Sequence, residues 1–82
     1  MNGYPRTSTR QRMVEMAKLA TANGASYNCI IRDLSIGGAM LRVPTEARIE
    51  GRVRISANIL GRERTAWVKW RDETSIGVSF DD

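Results

Sequence analysis

Ser26-Tyr27-Asn28-Cys29-Ile30-Ile31-Arg32-Asp33-Leu34-Ser35-Ile36-Gly37-Gly38-Ala39-Met40-Leu41-Arg42-Val43 reads as strand, turn, strand. Tyr27, Cys29 and Ile31 alternate with polar positions, although Ile30 blurs the pattern. Beyond the glycines, Ala39, Leu41 and Val43 alternate with Met40 and Arg42, and Pro44 ends the run. Between the two strands, Asp33, Ser35 and Gly38 fall at D-x-S-x-x-G spacing. Asp33 and Ser35 share parity, so an extended chain points both to one face, about 7 Å apart. Gly37 and Gly38 permit a sharp turn and the close approach of another group to the backbone.

Downstream, Thr45 to Gly51 reads as a polar loop. Val53, Ile55, Ala57 and Ile59 then alternate with Arg52, Arg54, Ser56 and Asn58, the cleanest amphipathic strand in the chain. Gly61-Arg62 marks a hairpin turn, and Ala66, Val68 and Trp70 alternate with Trp67, Lys69 and Arg71. After Asp72-Glu73-Thr74, a last strand carries Ile76, Val78 and Phe80. Parity places Trp70 and Phe80 in the core and leaves Trp67 on the opposite face, as an exposed contact or a cover for the rim. Upstream, Asn23-Gly24 is a strong turn signal. Met13, Met16, Ala17 and Ala20 follow helical spacing, and Ser8 with Gln11 has the spacing of a capping box. Met13 and Met16 are expected to pack. Five or six short strands at this spacing predict a small all-β antiparallel barrel, which leaves no open sheet edge.

Residues 1–12 form a basic arm without hydrophobic periodicity, ahead of a barrel expected over 13–82. Arg6, Arg10 and Arg12 have no acidic neighbour there, and the formal net charge of the 82 residues is +4. That balance favours an anionic partner. The length suits one domain with a modest core. Cys29 is the only cysteine, which excludes an internal disulfide and fits a reducing, cytoplasmic setting. No apolar run is long enough to span a membrane. There is no histidine, no constellation suited to nucleophilic or acid–base catalysis and no metal-ligand or phosphate-loop spacing, so neither an enzyme nor a metal site or cofactor is expected.

Arg6-x-x-x-Arg10, then Asp33-x-Ser35-x-x-Gly38 beginning 23 residues after Arg10, then Val68-Lys69-Trp70-Arg71 and Ile76-Gly77-Val78-Ser79-Phe80, resemble the PilZ domain. That family is a bacterial β-barrel that binds the second messenger cyclic di-GMP. Each motif alone is weak, and their order and separation make the resemblance specific. It covers nearly the whole chain and implies a split-barrel type of about six strands with a flexible N-terminal arm. It also implies a strand soon after the arginine motif, so Met13 to Ala20 is expected to be extended despite its helical spacing.

The resemblance further implies that Arg6 and Arg10 wrap cyclic di-GMP against a barrel surface carrying Asp33, Ser35 and Gly38. Arg12 and Gly37 lie outside the motif positions as possible helpers. The chemistry agrees. A guanidinium matches the guanine O6/N7 edge, a carboxylate accepts from guanine N1–H and N2–H₂, and phosphate oxygens offer the arginine fork a second use. The expected function is a sensor module in which ligand orders the arm and changes the surface shown to a downstream protein partner. With no output domain expected, its effect passes through that partner or its own rearrangement. Two alternatives stay open: a PilZ-like adaptor that binds only proteins, and a basic barrel that binds single-stranded nucleic acid. The second needs several exposed aromatics along a basic groove, and the chain has only two Trp, two Tyr and one Phe.

Overall fold

The computed structural model describes residues 10–82. Within them, strands β1 (Gln11–Thr21), β2 (Ser26–Leu34), β3 (Gly38–Arg42), β4 (Arg52–Ser56), β5 (Arg64–Arg71) and β6 (Ser75–Phe80) pair antiparallel. They close a barrel in the order β1-β2-β3-β6-β5-β4. The expected all-β barrel is therefore observed, with a short 3-10 turn at Asn58–Leu60. No helix among the described residues is long and apolar enough to cross a membrane.

The segment with helical spacing is a strand, and β1 starts at Gln11, two residues before the expected start of the barrel at 13. Its last four residues, Lys18 to Thr21, pair with β4 while Ala20 back to Gln11 pairs with β2. Ladder bonds on both sides, with Ala17, Leu19 and Thr21 turned into the core, outweigh a weak local preference. Met13 packs partly on the core, whereas Met16 stands 69% exposed, contrary to its expected packing role.

The core is built from alternate positions of every strand. Leu19, Ile31, Leu41, Val53, Ile55 and Ile76 are essentially inaccessible. Burying each such side chain is worth about 1.5–3 kcal/mol before chain entropy is charged against it. Two further core residues come from the supposed polar loop. Ala47 and Ile49, on the chain segment that links β3 to β4, are buried and join the core cluster. Arg71 holds that loop, donating from Nη2 to the carbonyls of Pro44 and Thr45 at 3.2 and 3.3 Å.

The strand expected over Val53–Ile59 ends earlier, at Ser56. The chain turns through Asn58–Leu60, so that Leu60 packs against the core and Ile59 is exposed. Phe80 packs partly against the core, with the Arg64 guanidinium 3.9 Å from its ring centroid. Near it, Asp81 accepts from Thr65 and from Arg52, and Asp82 is bracketed by Arg64 and Arg62. These contacts hold both carboxyls below the usual carboxylate range.

Cys29 is buried, and loss of solvation raises its thiol to about 11. The thiol is expected to resist iodoacetamide at pH 8 in the native barrel and to react at the rate of a free cysteine in denaturant. Mass spectrometry of a timed labelling series checks this, and rapid native labelling would contradict the burial.

Candidate functional site

Three bulges aim the site. β1 carries an extra residue between Arg12 and Glu15, β2 between Ile31 and Asp33, and β5 between Val68 and Trp70. An extra residue breaks the strict alternation of faces, so the side chains beyond it swap sides. Parity with Ile31 would point Asp33 into the barrel. Instead Asp33 pairs with Met40, which pairs with Gly77, which pairs with Trp70. Directly paired residues share a face, so one rung carries Asp33, Met40, Gly77 and Trp70 across four strands.

The same displacement corrects the placing of Trp70 in the core. Its indole lies over Gly77, and 46% of the residue is exposed. A Cβ at Gly77 would fall 2.0 Å from the indole Nε1, so glycine is what lets the ring lie flat there. Trp67, before the bulge, is exposed on β5.

This rung floors a cavity of about 260 Å³, which Arg10, Ser35, Gly37, Gly38 and Lys69 also line. Asp33 is only 9% exposed. Its Oδ2 lies 3.9 Å from Arg10 Nη1, and its Oδ1 is buried without a hydrogen-bond partner. The Arg10 side chain is mostly exposed, so this long ion pair adds little stability.

Ser35 is tied into the turn. Its N–H donates to the Gly38 carbonyl at 2.9 Å and its Oγ to the same oxygen at 3.3 Å. The Phe80 N–H donates to the Gly37 carbonyl at 2.9 Å, fastening the turn to β6. Gly38 lies so close to β6 that an added Cβ would sit 2.3 Å from the Val78 carbonyl oxygen.

The structure thus brings Arg10, Asp33, Ser35, Gly37 and Gly38 to one cavity. Arg12, paired with Asp33, lines a different cavity on the other side of that carboxylate. Arg6 lies outside the described residues, as does the arm through residue 9. Lys69, Trp70 and Met40 line the cavity and were not picked out as site residues from sequence. The signal for Lys69 and Trp70 was present in Val68-Lys69-Trp70-Arg71, but their direction depends on a bulge the pattern does not display.

The model of the PilZ domain family matches residues 4–82. The chain belongs to the PilZ domain family. PilZ domains are binding and adaptor modules, and the family is known for cyclic di-GMP binding. A comparison with curated proteins returns no match. For a PilZ domain, the D-x-S-x-x-G stretch of this chain is the turn from β2 into β3, at the mouth of the cavity.

Proposed function

We propose that this PilZ domain is a cyclic di-GMP sensor in which Arg6 and Arg10 close a ligand over Asp33, Ser35 and Gly38. The observation that carries the reading is Asp33 Oδ1, a buried acceptor with no partner, in the wall of a cavity faced by Arg10. Buried acceptors are nearly always paired. An unpaired carboxylate here suits a ligand presenting two adjacent N–H donors, as the guanine N1–H and N2–H₂ edge does. Arg10 suits the opposite O6/N7 edge or a phosphate, Lys69 a phosphate, and the exposed part of the Trp70 indole a base face.

The cavity, at about 260 Å³, is below the roughly 300–1,000 Å³ of a pocket that encloses a small ligand. It takes one guanine end of a dinucleotide and leaves the rest for the arm to cover. Binding then orders the arm through charge-assisted contacts and changes the displayed surface, a switch that acts on a protein partner. A free, buried cysteine agrees with a cytoplasmic setting for this module.

Titration calorimetry against cyclic di-GMP, GTP and a short oligonucleotide tests the reading. Heat with the cyclic dinucleotide alone is expected, and heat only with the oligonucleotide would overturn it. Arg10→Ala is expected to weaken cyclic di-GMP binding about 10- to 100-fold, corresponding to about 1–3 kcal/mol for a lost bidentate contact. A variant that binds as tightly as the wild type removes Arg10 from the site.

A further inference from the structure

We infer that the outer face of β1, β2 and β3 is a docking surface for a protein segment that presents an apolar side chain flanked by carboxylates. The face follows from register. Met16 pairs with Ile30 and Ile30 with Arg42, forming a rung on the outside of the barrel. The neighbouring bulges bring Val14 and Arg32 beside it, and Arg12, Met13, Val14, Arg32 and Met40 line one cavity of about 430 Å³ with Asp33. Val14 and Met16 are 70% and 69% exposed. Two neighbouring aliphatic side chains that far into water, next to a concavity, mark a contact surface more strongly than scattered exposed residues do.

Charge specifies the occupant. Arg12, Lys18, Arg32 and Arg42 surround the apolar residues, are all exposed, and have no ion-pair partner among the described residues. On β4, β5 and the turn between them, by contrast, Arg52, Arg62 and Arg64 are each paired with Asp81 or Asp82, and only Arg54 and Lys69 are exposed without such a pair among the described residues. Among the described residues, the protein's own carboxylates pair with part of the basic surface on β4 and β5 and with none of the basic residues around this hollow. Guanidinium groups around an apolar hollow complement carboxylates around an apolar side chain.

A nucleic acid fits less well, because the face carries Val14, Met16, Ile30 and Met40 and offers no aromatic for bases to stack on. An anionic membrane fits less well too. The hollow is concave, and a bilayer surface cannot enter it as a single projecting side chain can.

The position of Asp33 also matters for regulation. It forms part of the wall of both this hollow and the cavity assigned to ligand. On the reading given under Proposed function, ligand capture at Asp33 changes the neighbouring hollow, so docking affinity is expected to respond to cyclic di-GMP. The docking surface itself stands without that reading.

The test uses a synthetic peptide carrying Leu and Phe between Asp and Glu residues, a second peptide with Lys in place of its acids, and vesicles of anionic phospholipid. Amide and methyl NMR shifts of the full chain report the contact. The acidic peptide is expected to shift Val14, Met16, Ile30 and Arg32, and the Lys peptide to shift nothing. Met16→Glu and Arg32→Glu are each expected to weaken the acidic peptide at least tenfold. Neither residue lines the ligand cavity, so calorimetry with cyclic di-GMP is expected to be unchanged in both variants, and the dispersion of their amide spectra shows independently that they are folded. Shifts confined to other faces, full binding by Met16→Glu, or binding to vesicles in place of the peptide overturns the docking surface. Wild-type protein that binds the peptide but gives no heat with cyclic di-GMP overturns the ligand reading and supports the docking surface.

Discussion

Asp33→Ala is expected to separate binding from stability, losing about 100-fold in cyclic di-GMP affinity while the barrel becomes as stable as the wild type or more so. The affinity loss follows from the proposed role of the carboxylate. A carboxylate that accepts two donors of one base edge contributes about 1–3 kcal/mol of discrimination, and truncation leaves those donors unpaired in the complex. The stability gain follows from the free protein. Asp33 Oδ1 is buried with no partner, and Oδ2 has only the long, solvent-screened contact to Arg10. An unsatisfied buried acceptor costs about 1–3 kcal/mol, more when charged. Removing it is expected to raise the melting temperature by several degrees, since about 1 kcal/mol corresponds to roughly 4–8 °C in a domain of this size. Calorimetric titration and thermal melts on the same preparation check both halves. Unchanged affinity would falsify Asp33 as the base acceptor. A fall in melting temperature would show that the carboxylate supports the turn, and Asp33→Asn, which keeps the shape, then distinguishes a lost hydrogen bond from lost charge.

The β2–turn–β3 unit was legible because alternation, glycines and a terminating proline agree over 26–44. Asn23-Gly24 was legible for the same reason, and the residues of the D-x-S-x-x-G run share a cavity as their spacing suggested. The direction in which Asp33 and Trp70 point was not legible. It is set by single extra residues in β2 and β5, and a bulge is a property of two paired strands that neither strand's own pattern reveals. β1 is the strand that the resemblance implied, although its own spacing pointed to a helix. Its helical spacing is real, but its hydrogen bonds are made to β2 and β4. Ala47 and Ile49 were hidden by their charged neighbours Glu46, Arg48 and Glu50, although the alternation that buries them is there.

Three glycines around the cavity meet different neighbours, and alanine at each is expected to have a different effect. The largest is at Gly38. Its added Cβ would lie 2.3 Å from the Val78 carbonyl oxygen and 3.5 Å from the Ser79 Cα, all backbone atoms of the strand it pairs with. Backbone cannot rotate away as a side chain can, so β3 must move off β6. That movement strains the Phe80 N–H bond to Gly37 and the Ser35 N–H bond to Gly38, which together shape the turn. Gly38→Ala is therefore expected to cost about 2–3 kcal/mol, in the range of overpacked cores, and to lower the melting temperature by roughly 10–20 °C. At Gly77 the obstacle is the Trp70 indole, a half-exposed side chain that can swing outward. Gly77→Ala is expected to melt closer to the wild type, with red-shifted tryptophan fluorescence as the ring leaves the cavity. Gly37 has no heavy atom within 4 Å of an added Cβ, so Gly37→Ala is expected to fold like the wild type. Thermal melts of the three variants decide the matter. If Gly38→Ala melts with Gly37→Ala, the close approach of β3 to β6 is not what demands glycine in this turn. If the order holds, Gly38 is first a condition for closing the barrel at the cavity mouth, and any part in binding rests on that closure.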